Sequence, residues 1–220
     1  MSAPIRVLLV DDQELFREGM RVIVDAQDGL EVVGTAGDGF EAVERVTALE
    51  PDVVLMDIRM PELDGVEATR RIFLPEATAA RSTPVRVLVL TTFDLDDRAA
   101  TAIRHGASGF LVKDATPAML IDAIRTVHAG NAVLAPQALS TLLVSGFRES
   151  APPPPEFDTL TDKEREVFDA VARGASNSEV AARLYTSEST VKTHVGAVLR
   201  KLGLRDRVQL VVFAHRHELV

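Results

Sequence analysis

The chain of 220 residues is 46% hydrophobic and contains no cysteine, which excludes disulfides, thiolate catalysis and cysteine-based zinc sites. Its formal net charge of −9 argues against nucleic-acid binding through overall charge. No apolar run approaches the roughly 20 residues needed to span a membrane, and the first residues lack the basic region and cleavage site of a signal peptide, so we expect a cytoplasmic protein with no membrane partner.

Short apolar segments alternate with amphipathic helical patterns along residues 1–130. The segment 53–56, "VVLM", has the unbroken apolar character of a strand buried on both faces. Such an alternation predicts a parallel sheet with helices on both faces, because each right-handed crossover carries a helix. We therefore expect a doubly wound α/β domain of flavodoxin-like size. Its five predicted strands are residues 5–10, 31–36, 53–56, 85–91 and 109–113.

Polar residues lie at the carboxyl ends of four predicted strands. Asp11 and Asp12 follow the first strand, Asp57 follows the third, Thr91 ends the fourth and Lys113 ends the fifth. Doubly wound folds bind ligands where the ends of the first and third strands meet. Three converging carboxylates repel one another, and a hard cation such as Mg²⁺ relieves the repulsion. Taken singly, each acid has an ordinary explanation as a cap or turn residue, but together with the lysine and the hydroxyl they could hold a phosphoryl group on an aspartate.

A run of four prolines, Pro152 to Pro155, separates two regions of different pattern. Because consecutive prolines favour an extended polyproline II conformation, residues 131–156 are interpreted as a connecting helix and a proline-rich linker. Only helical patterns follow, over residues 157–220, and two capping boxes mark helix starts at Thr161 and Ser176. Two short helices joined by a tight turn, the second of them basic, predict a helix-turn-helix domain.

The net negative charge does not extend into this helical region. Residues 156–220 hold ten Lys+Arg and ten Asp+Glu, so the whole excess lies upstream. Apolar residues at helical spacing, among them Val191, Val195 and Val198, should face the core and leave a basic face exposed. Such a face can enter the major groove of double-stranded DNA. We assign DNA contacts to Asn177, Thr190, Lys192, Thr193, Gly196, Arg200 and Lys201.

The segments "VDDQ", "MDIRMPELDG", "LTTF" and "GFLVKD" resemble the receiver domain of bacterial two-component response regulators, and the resemblance covers residues 1 to about 130. It implies that Asp57 accepts a phosphoryl group from a partner. It further implies that Asp12, Asp57 and the Arg59 carbonyl bind Mg²⁺ directly and that Asp11 does so through water.

The same resemblance implies roles for three residues on the fourth and fifth strands. Thr91 and Lys113 would contact the phosphoryl oxygens, and Thr91 and the aromatic Phe110 would be the two switch residues. Many receivers have proline after the lysine, but here Asp114 follows it, so a cis Lys-Pro bond is not expected. The stretch 73–84 exceeds the compact pattern and receives no role.

The sequence "LTDKEREVFDAVARGASNSEVAARLYTSESTVKTHVGAVLRKLGLRDR" resembles the LuxR-type helix-turn-helix, and the resemblance covers nearly all of residues 157–220. It implies binding to promoter DNA. Ser178 replaces the lysine common at the start of the scaffold helix, and Gly196 and Ala197 occupy positions that are often polar. We therefore expect sparse readout of DNA bases.

Together the two resemblances indicate a response regulator of the NarL/FixJ type. A sensor histidine kinase would phosphorylate Asp57, and the phosphorylated protein would bind promoter DNA as a homodimer and control transcription, without being a conventional enzyme. One alternative is a phosphate-independent DNA-binding regulator with a vestigial receiver. Another is an aspartyl-phosphate phosphatase, but such enzymes place a second acid two residues after the nucleophile, where this chain has Arg59.

Overall fold

The computed structural model describes residues 3–79, 81–92, 97–131, 133 and 152–220. The chain divides into two compact units, within residues 1–134 and 135–220, and each unit has its own hydrophobic core. Most of the connecting helix and linker expected over residues 131–156 lies outside the described residues. Pro154 has φ −69° and ψ 158°, the extended conformation expected of the linker, and a 3₁₀ helix begins at Pro155.

The first unit contains a five-stranded parallel sheet with the strand order β2-β1-β3-β4-β5. This order confirms the predicted doubly wound fold and places its switch point between β1 and β3. Each predicted strand is present to within one residue at either end, and Asp57 is the last residue of β3 rather than the first residue after it. The strands are β1 (Ile5–Val10), β2 (Leu30–Ala36), β3 (Val53–Asp57), β4 (Arg86–Thr91) and β5 (Gly109–Val112).

Six described helices accompany this sheet. Side-chain caps begin several of them: Asp38 accepts a hydrogen bond from Glu41 N, and Thr116 accepts one from Met119 N ahead of Pro117 in the first turn. The helix that follows β4 is described from Asp97, because residues 93–96 lie outside the described ranges. The helices are α1 (Glu14–Asp25), α2 (Gly39–Leu49), α3 (Gly65–Ile72), α4 (Pro75–Ala79), α5 (Asp97–Arg104) and α6 (Pro117–His128).

The core of the first unit explains why β3 carries no polar residue before its last position. All five residues of β3 are buried, since β3 lies between β1 and β4 and is covered on both faces. On one face, Leu9, Leu55 and Leu90 belong to the cluster that includes Val24 of α1 and Ile124 of α6. Burial of this strand fixes the position of its carboxyl end.

The second unit consists of helices in the described range 152–220. Both predicted capping boxes are confirmed, since Thr161 and Ser176 each exchange hydrogen bonds with a glutamate three residues later. Ser187 caps the next helix by accepting a hydrogen bond from Thr190 N. After the 3₁₀ helix Pro155–Thr159 come α7 (Asp162–Ala172), α8 (Asn177–Arg183), α9 (Glu188–Lys201) and α10 (Arg207–Arg216).

Three phenylalanines form the centre of the second core. The ring centroids of Phe157 and Phe168 lie 5.1 Å apart, and that of Phe213 lies 6.2 Å from each of them. Edge-on and tilted contacts of this kind add to the stability gained from burial. Val180 of α8 and Val191 of α9 join the same cluster, so the two helices of the predicted helix-turn-helix pack on one core. Among the described residues, every helix is too short or too polar to cross a membrane.

Candidate functional site

The parallel sheet brings three of the predicted site residues to one edge. β1 and β3 are hydrogen-bonded neighbours, with Val10 paired to Met56. The residues that follow this pair, Asp11 and Asp57, therefore lie side by side at the carboxyl ends of adjacent strands. Lys113 follows β5, and its backbone N–H donates to the carbonyl of Thr91 at 2.7 Å.

Lys113 forms ion pairs with two buried carboxylates. Its Nζ lies 2.6 Å from Asp11 Oδ2 and 3.0 Å from Asp57 Oδ2. The side chains of Asp11, Asp57 and Lys113 are 0%, 5% and 11% exposed, respectively. The Nζ atom also lies 4.9 Å from the centre of the Phe16 ring, a cation–π distance. A single ammonium group is thus fixed between two acids that water hardly reaches.

The local environment changes the pKa of both partners. Burial raises the pKa of Asp57 above its ordinary value, although the ion pair with Lys113 and a hydrogen bond from the backbone of Arg59 oppose this effect. Burial alone would lower the pKa of Lys113, but its hydrogen bonds to Asp11 and Asp57 outweigh burial and raise it. Lys113 therefore remains charged, and Asp57 is a carboxylate that gains from additional positive charge.

A third acid, Asp12, completes the cluster at the solvent side. It is exposed, whereas Asp11 and Asp57 are buried. One carboxylate oxygen from each of the three residues lies within 4.8 Å of the other two. Three acids and one lysine leave the cluster with two negative charges, and an all-oxygen ligand set of this kind suits a hard divalent cation.

Thr91 and Phe110, the two predicted switch residues, lie on adjacent strands beside this cluster. Asp57 is paired with Leu90 across β3 and β4, so Thr91 lies one residue further toward the carboxyl edge. Thr91 is 4% exposed and Phe110 is 8% exposed. Phe110 is paired with Val89 across β4 and β5, and the last pair of these two strands is Thr91 with Val112. Phe110 therefore lies two residues before the carboxyl end of β5.

Sequence reasoning missed the part played by Gly65. A Cβ atom at this position would lie 1.9 Å from the carbonyl oxygen of Asp57, well inside van der Waals contact. The Gly65 N–H donates to the carbonyl of Ile58 at 3.0 Å. Only a residue without a side chain lets α3 begin this close to Asp57. The quoted segment "MDIRMPELDG" contained this glycine, but its pattern alone assigns it no partner.

In the second unit, one face of α9 is exposed as predicted. Lys192, Thr193, Gly196 and Arg200 are exposed, while Val191, Val195 and Val198 are buried. A Cβ atom at Gly196 would meet nothing within 4 Å, so this face is open at its centre. Thr190 is also exposed in the first turn of the helix.

Two predicted DNA contacts, Lys201 and Asn177, bind residues on other elements of the unit. Lys201 Nζ lies 2.6 Å from Glu164 Oε2 and donates to the carbonyl of Thr159 at 2.9 Å. Asn177 Oδ1 accepts a hydrogen bond of 2.8 Å from Arg207, whose guanidinium also donates to the carbonyl of Ala175. Lys201 and Asn177 are therefore held by partners on other elements, whereas Lys192, Gly196 and Arg200 lie on the exposed face of α9.

Two protein-family descriptions match the chain over separate ranges. The response regulator receiver domain matches residues 7–125, and the bacterial regulatory proteins of the luxR family match residues 158–214. The first range contains the carboxylate cluster and Lys113, and the second contains α7 to α9 and most of α10.

Individual relatives are similar over almost the whole chain. The uncharacterized transcriptional regulatory protein YxjL of Bacillus subtilis (strain 168) is 40% identical over 218 residues, covering 98% of this chain and 97% of the relative. The DNA-binding transcriptional activator DevR/DosR of Mycobacterium tuberculosis is 37% identical over 210 residues, covering 96% and 94%. The crystal structure of ChrA, a response regulator in a heme-sensing two-component system, is 35% identical with a TM-score of 0.52 over both complete chains.

Proposed function

We propose that Asp57 accepts the phosphoryl group in this chain, which belongs to the response regulators. These proteins join a receiver domain to a LuxR-type helix-turn-helix domain and regulate transcription in dependence on phosphorylation. The observation that carries this assignment is the position of Asp57. It ends the central buried strand, it is 3.0 Å from Lys113 Nζ, and it shares a cluster with Asp11 and Asp12.

The proposed transfer joins a carboxylate oxygen of Asp57 to the phosphorus atom. In the same step the bond between phosphorus and a histidine nitrogen of the sensor kinase breaks, and the nitrogen keeps the electron pair. The catalytic contribution of the chain is positioning and charge compensation. Lys113, already fixed beside Asp57, is placed to pair with a phosphoryl oxygen, and the Thr91 hydroxyl is assigned a hydrogen bond to another.

The carboxylate cluster fits a magnesium ion. Asp11 and Asp57 are buried acids that share a single lysine, and Asp12 adds an accessible carboxylate at the entrance. Asp12, Asp57 and the Arg59 carbonyl would hold the ion directly, and Asp11 would hold it through water. When bound, magnesium supplies positive charge beside the transferred group.

Phosphorylation would change the surface of the receiver through its switch residues. The phosphoryl group adds nearly two negative charges beside Asp57. A shift of Thr91 toward this charge would open space on the adjacent strand that Phe110 can fill. The repacked surface around β4 and β5 would then favour pairing with a second receiver, so that the phosphorylated protein forms a homodimer.

The exposed face of α9 is proposed to enter the major groove of promoter DNA. Lys192 and Arg200 lie eight residues apart, which is roughly 12 Å along the helix, and both are exposed. Thr190, Thr193 and Gly196 lie on the exposed part of the helix between or beside them. Small and positively charged residues in this arrangement permit close approach to bases and pairing with phosphates.

Beryllofluoride, a phosphoryl mimic, tests the assignment of Asp57. With magnesium present it should strengthen DNA binding of the wild-type chain, and a tenfold gain requires only about 1.4 kcal/mol between the two states. Asp57→Asn should abolish this gain, and mass spectrometry with a small-molecule phosphodonor should detect no phosphorylated product.

A matched control is Asp28→Asn, which removes an exposed carboxylate from the loop between α1 and β2. This loop lies at the opposite edge of the sheet from Asp57, so the control should respond to beryllofluoride as the wild type does. An Asp57→Asn protein that still responds would refute the assignment. Light scattering on the same samples measures whether the activated protein is a dimer.

A further inference from the structure

Lys201 is held in a different environment from the other basic residues of α9. Its Nζ atom forms an ion pair of 2.6 Å with Glu164 and donates to the carbonyl of Thr159 at 2.9 Å. The Lys201 side chain is 30% exposed and that of Glu164 is 9% exposed. Lys192 and Arg200, in contrast, are exposed. The last residue of α9 is therefore tied to the start of α7 and to the 3₁₀ helix before it.

The partner of Lys201 is itself fixed in place. Glu164 is the third residue of α7, and its Oε2 atom accepts hydrogen bonds from Thr161 N at 2.8 Å and from Thr161 Oγ1 at 3.0 Å. The same oxygen accepts the hydrogen bond from Lys201. One carboxylate oxygen thus completes a capping box and anchors a second helix. The Lys201 hydrogen bond and the Thr161 backbone lower the pKa of Glu164 to about 2, so the carboxylate is ionised at neutral pH.

The ion pair lies at the end of α9 where a small tilt of the helix produces the largest displacement. This helix has 14 residues, which is roughly 21 Å at the usual rise per residue. Its first turn is held by the Ser187 cap and by the burial of Val191. At the opposite end, Val198 is buried and Lys201 forms the ion pair with Glu164. A tilt of roughly 5° about the first turn would displace the last turn by more than 1 Å over this length, which is enough to disturb contacts with DNA bases.

We propose that Lys201 is a positioning residue, which fixes the orientation of α9 through Glu164 and makes no contact with DNA. The residues that meet DNA are then the exposed ones, Lys192 and Arg200 with the small residues between them. This inference rests on the proposed insertion of α9 into the major groove. It changes the assignment of Lys201 that its basic character suggested from sequence.

Replacing Glu164 with glutamine distinguishes a positioning role of Lys201 from a phosphate contact, because the two roles predict opposite changes in DNA affinity. Glutamine still completes a capping box but loses the ion pair. If Lys201 contacted DNA phosphates, Glu164→Gln would release its charge and strengthen binding. If Lys201 positions α9, Glu164→Gln should weaken binding by about three- to tenfold. The probe is a labelled duplex selected by the wild-type full-length chain from a random pool, compared with an unselected random duplex on which the loss should be smaller.

Glu166→Gln is the matched control for removal of one negative charge from α7. Glu166 is 52% exposed and forms its ion pair of 2.9 Å with Lys163 of the same helix. This variant should bind the selected duplex at least as tightly as the wild type. A loss equal to that of Glu164→Gln would mean that the charge of α7, and not the ion pair with Lys201, is responsible.

The salt dependence of DNA binding provides a second measurement, which a loss of folding stability alone does not change. A residue that neutralises a DNA phosphate contributes about 0.9 to the slope of log affinity against log salt concentration. Lys201→Met should weaken binding to the selected duplex without changing this slope, and Lys201→Arg should restore affinity because arginine can pair with Glu164. Arg200→Ala, on the neighbouring exposed residue, should lower the slope by about 0.9 if Arg200 contacts phosphate.

These measurements distinguish failure of the positioning role of Lys201 from failure of the proposed DNA-binding function. A smaller salt slope for Lys201→Met, or tighter binding by Glu164→Gln, would overturn the positioning role while leaving the proposed DNA-binding function intact. Failure of the wild-type chain to select or bind any duplex would overturn both. Circular dichroism of each variant at the assay temperature verifies that binding is compared between folded proteins.

Discussion

Replacing Gly65 with alanine is expected to destabilise the receiver and to slow its phosphorylation. The added Cβ atom would lie 1.9 Å from the carbonyl oxygen of Asp57, where ordinary contacts lie between 3.4 and 4 Å. A gap of about 1.5 Å must therefore open between α3 and the end of β3. Both groups at this contact are backbone, so no flexible side chain can move aside to accommodate the methyl group.

The magnitude follows from two contributions. Overpacking of a buried contact costs roughly 1 to 3 kcal/mol, and loss of the hydrogen bond from Gly65 to Ile58 costs roughly 1 kcal/mol. A total of roughly 2 to 4 kcal/mol is less than the stability of a typical domain, so the protein should still fold. For a unit of this size the unfolding temperature should fall by roughly 8 to 16 °C.

Differential scanning calorimetry of the full-length chain measures this shift, and the initial rate of phosphorylation by a small phosphodonor measures the displacement of Asp57. The rate should fall on the order of tenfold to a hundredfold, because reacting groups displaced by about 1 Å lose much of their alignment. Gly19→Ala is the control, since Gly19 lies in α1 and a Cβ atom there would meet nothing within 4 Å. That change should stabilise the helix by roughly 0.5 to 1 kcal/mol. A Gly65→Ala protein with wild-type unfolding temperature and phosphorylation rate would refute this account of the contact.

Three further predictions concern the acidic cluster and the helical unit. Asp12→Asn should weaken magnesium binding by at least about tenfold in calorimetry while leaving stability nearly unchanged, because Asp12 is exposed; an unchanged affinity would contradict its role as a ligand. Lys192→Ala should weaken binding to the selected duplex by roughly 1 to 3 kcal/mol if Lys192 contacts a base, whereas an equal loss on random DNA would make it a phosphate contact. The pKa of Glu164 is lowered from 4.5 to about 2, chiefly by the Lys201 hydrogen bond, so its stabilising contribution should be complete above pH 4.5 and disappear as the pH falls toward 2. Thermal unfolding of the wild type and of Glu164→Gln across this pH range measures this contribution as the difference between their unfolding temperatures. A difference that stays constant down to pH 2 would disagree with the lowered pKa.

The sequence by itself determined the order of the five strands and the helical character of residues 157–220, but it did not predict α4, which lies in the stretch 73–84. The apolar run Val53 to Met56 predicted a strand covered on both faces, and the alternation around it predicted the parallel sheet. Asp57 was recognised because the carboxyl ends of such strands share one edge, so a single placement rule applied to every strand. The capping boxes at Thr161 and Ser176 were equally predictable, because their hydrogen bonds connect residues only three positions apart.

The sequence also determined which face of α9 would be exposed. Valines at helical spacing mark the buried side, and Lys192 and Arg200 must then lie on the other side. This inference requires only the geometry of one helix. It does not identify the partner of a residue at the edge between the two faces, and Lys201 lies at such an edge.

Only the tertiary structure decided the contacts between residues far apart in the chain. Lys201 and Glu164 are separated by 37 positions, and either residue alone would suit an exposed surface. Long polar side chains reach partners on neighbouring helices, and the choice among those partners depends on how the helices pack. The same reason applies to Gly65, whose lack of a side chain matters only because α3 begins against the backbone of Asp57. Periodicity predicts whether a residue is buried or exposed, whereas packing determines which residue it contacts. Lys201 could be assigned to positioning rather than to DNA contact only because the structure shows its contact with Glu164.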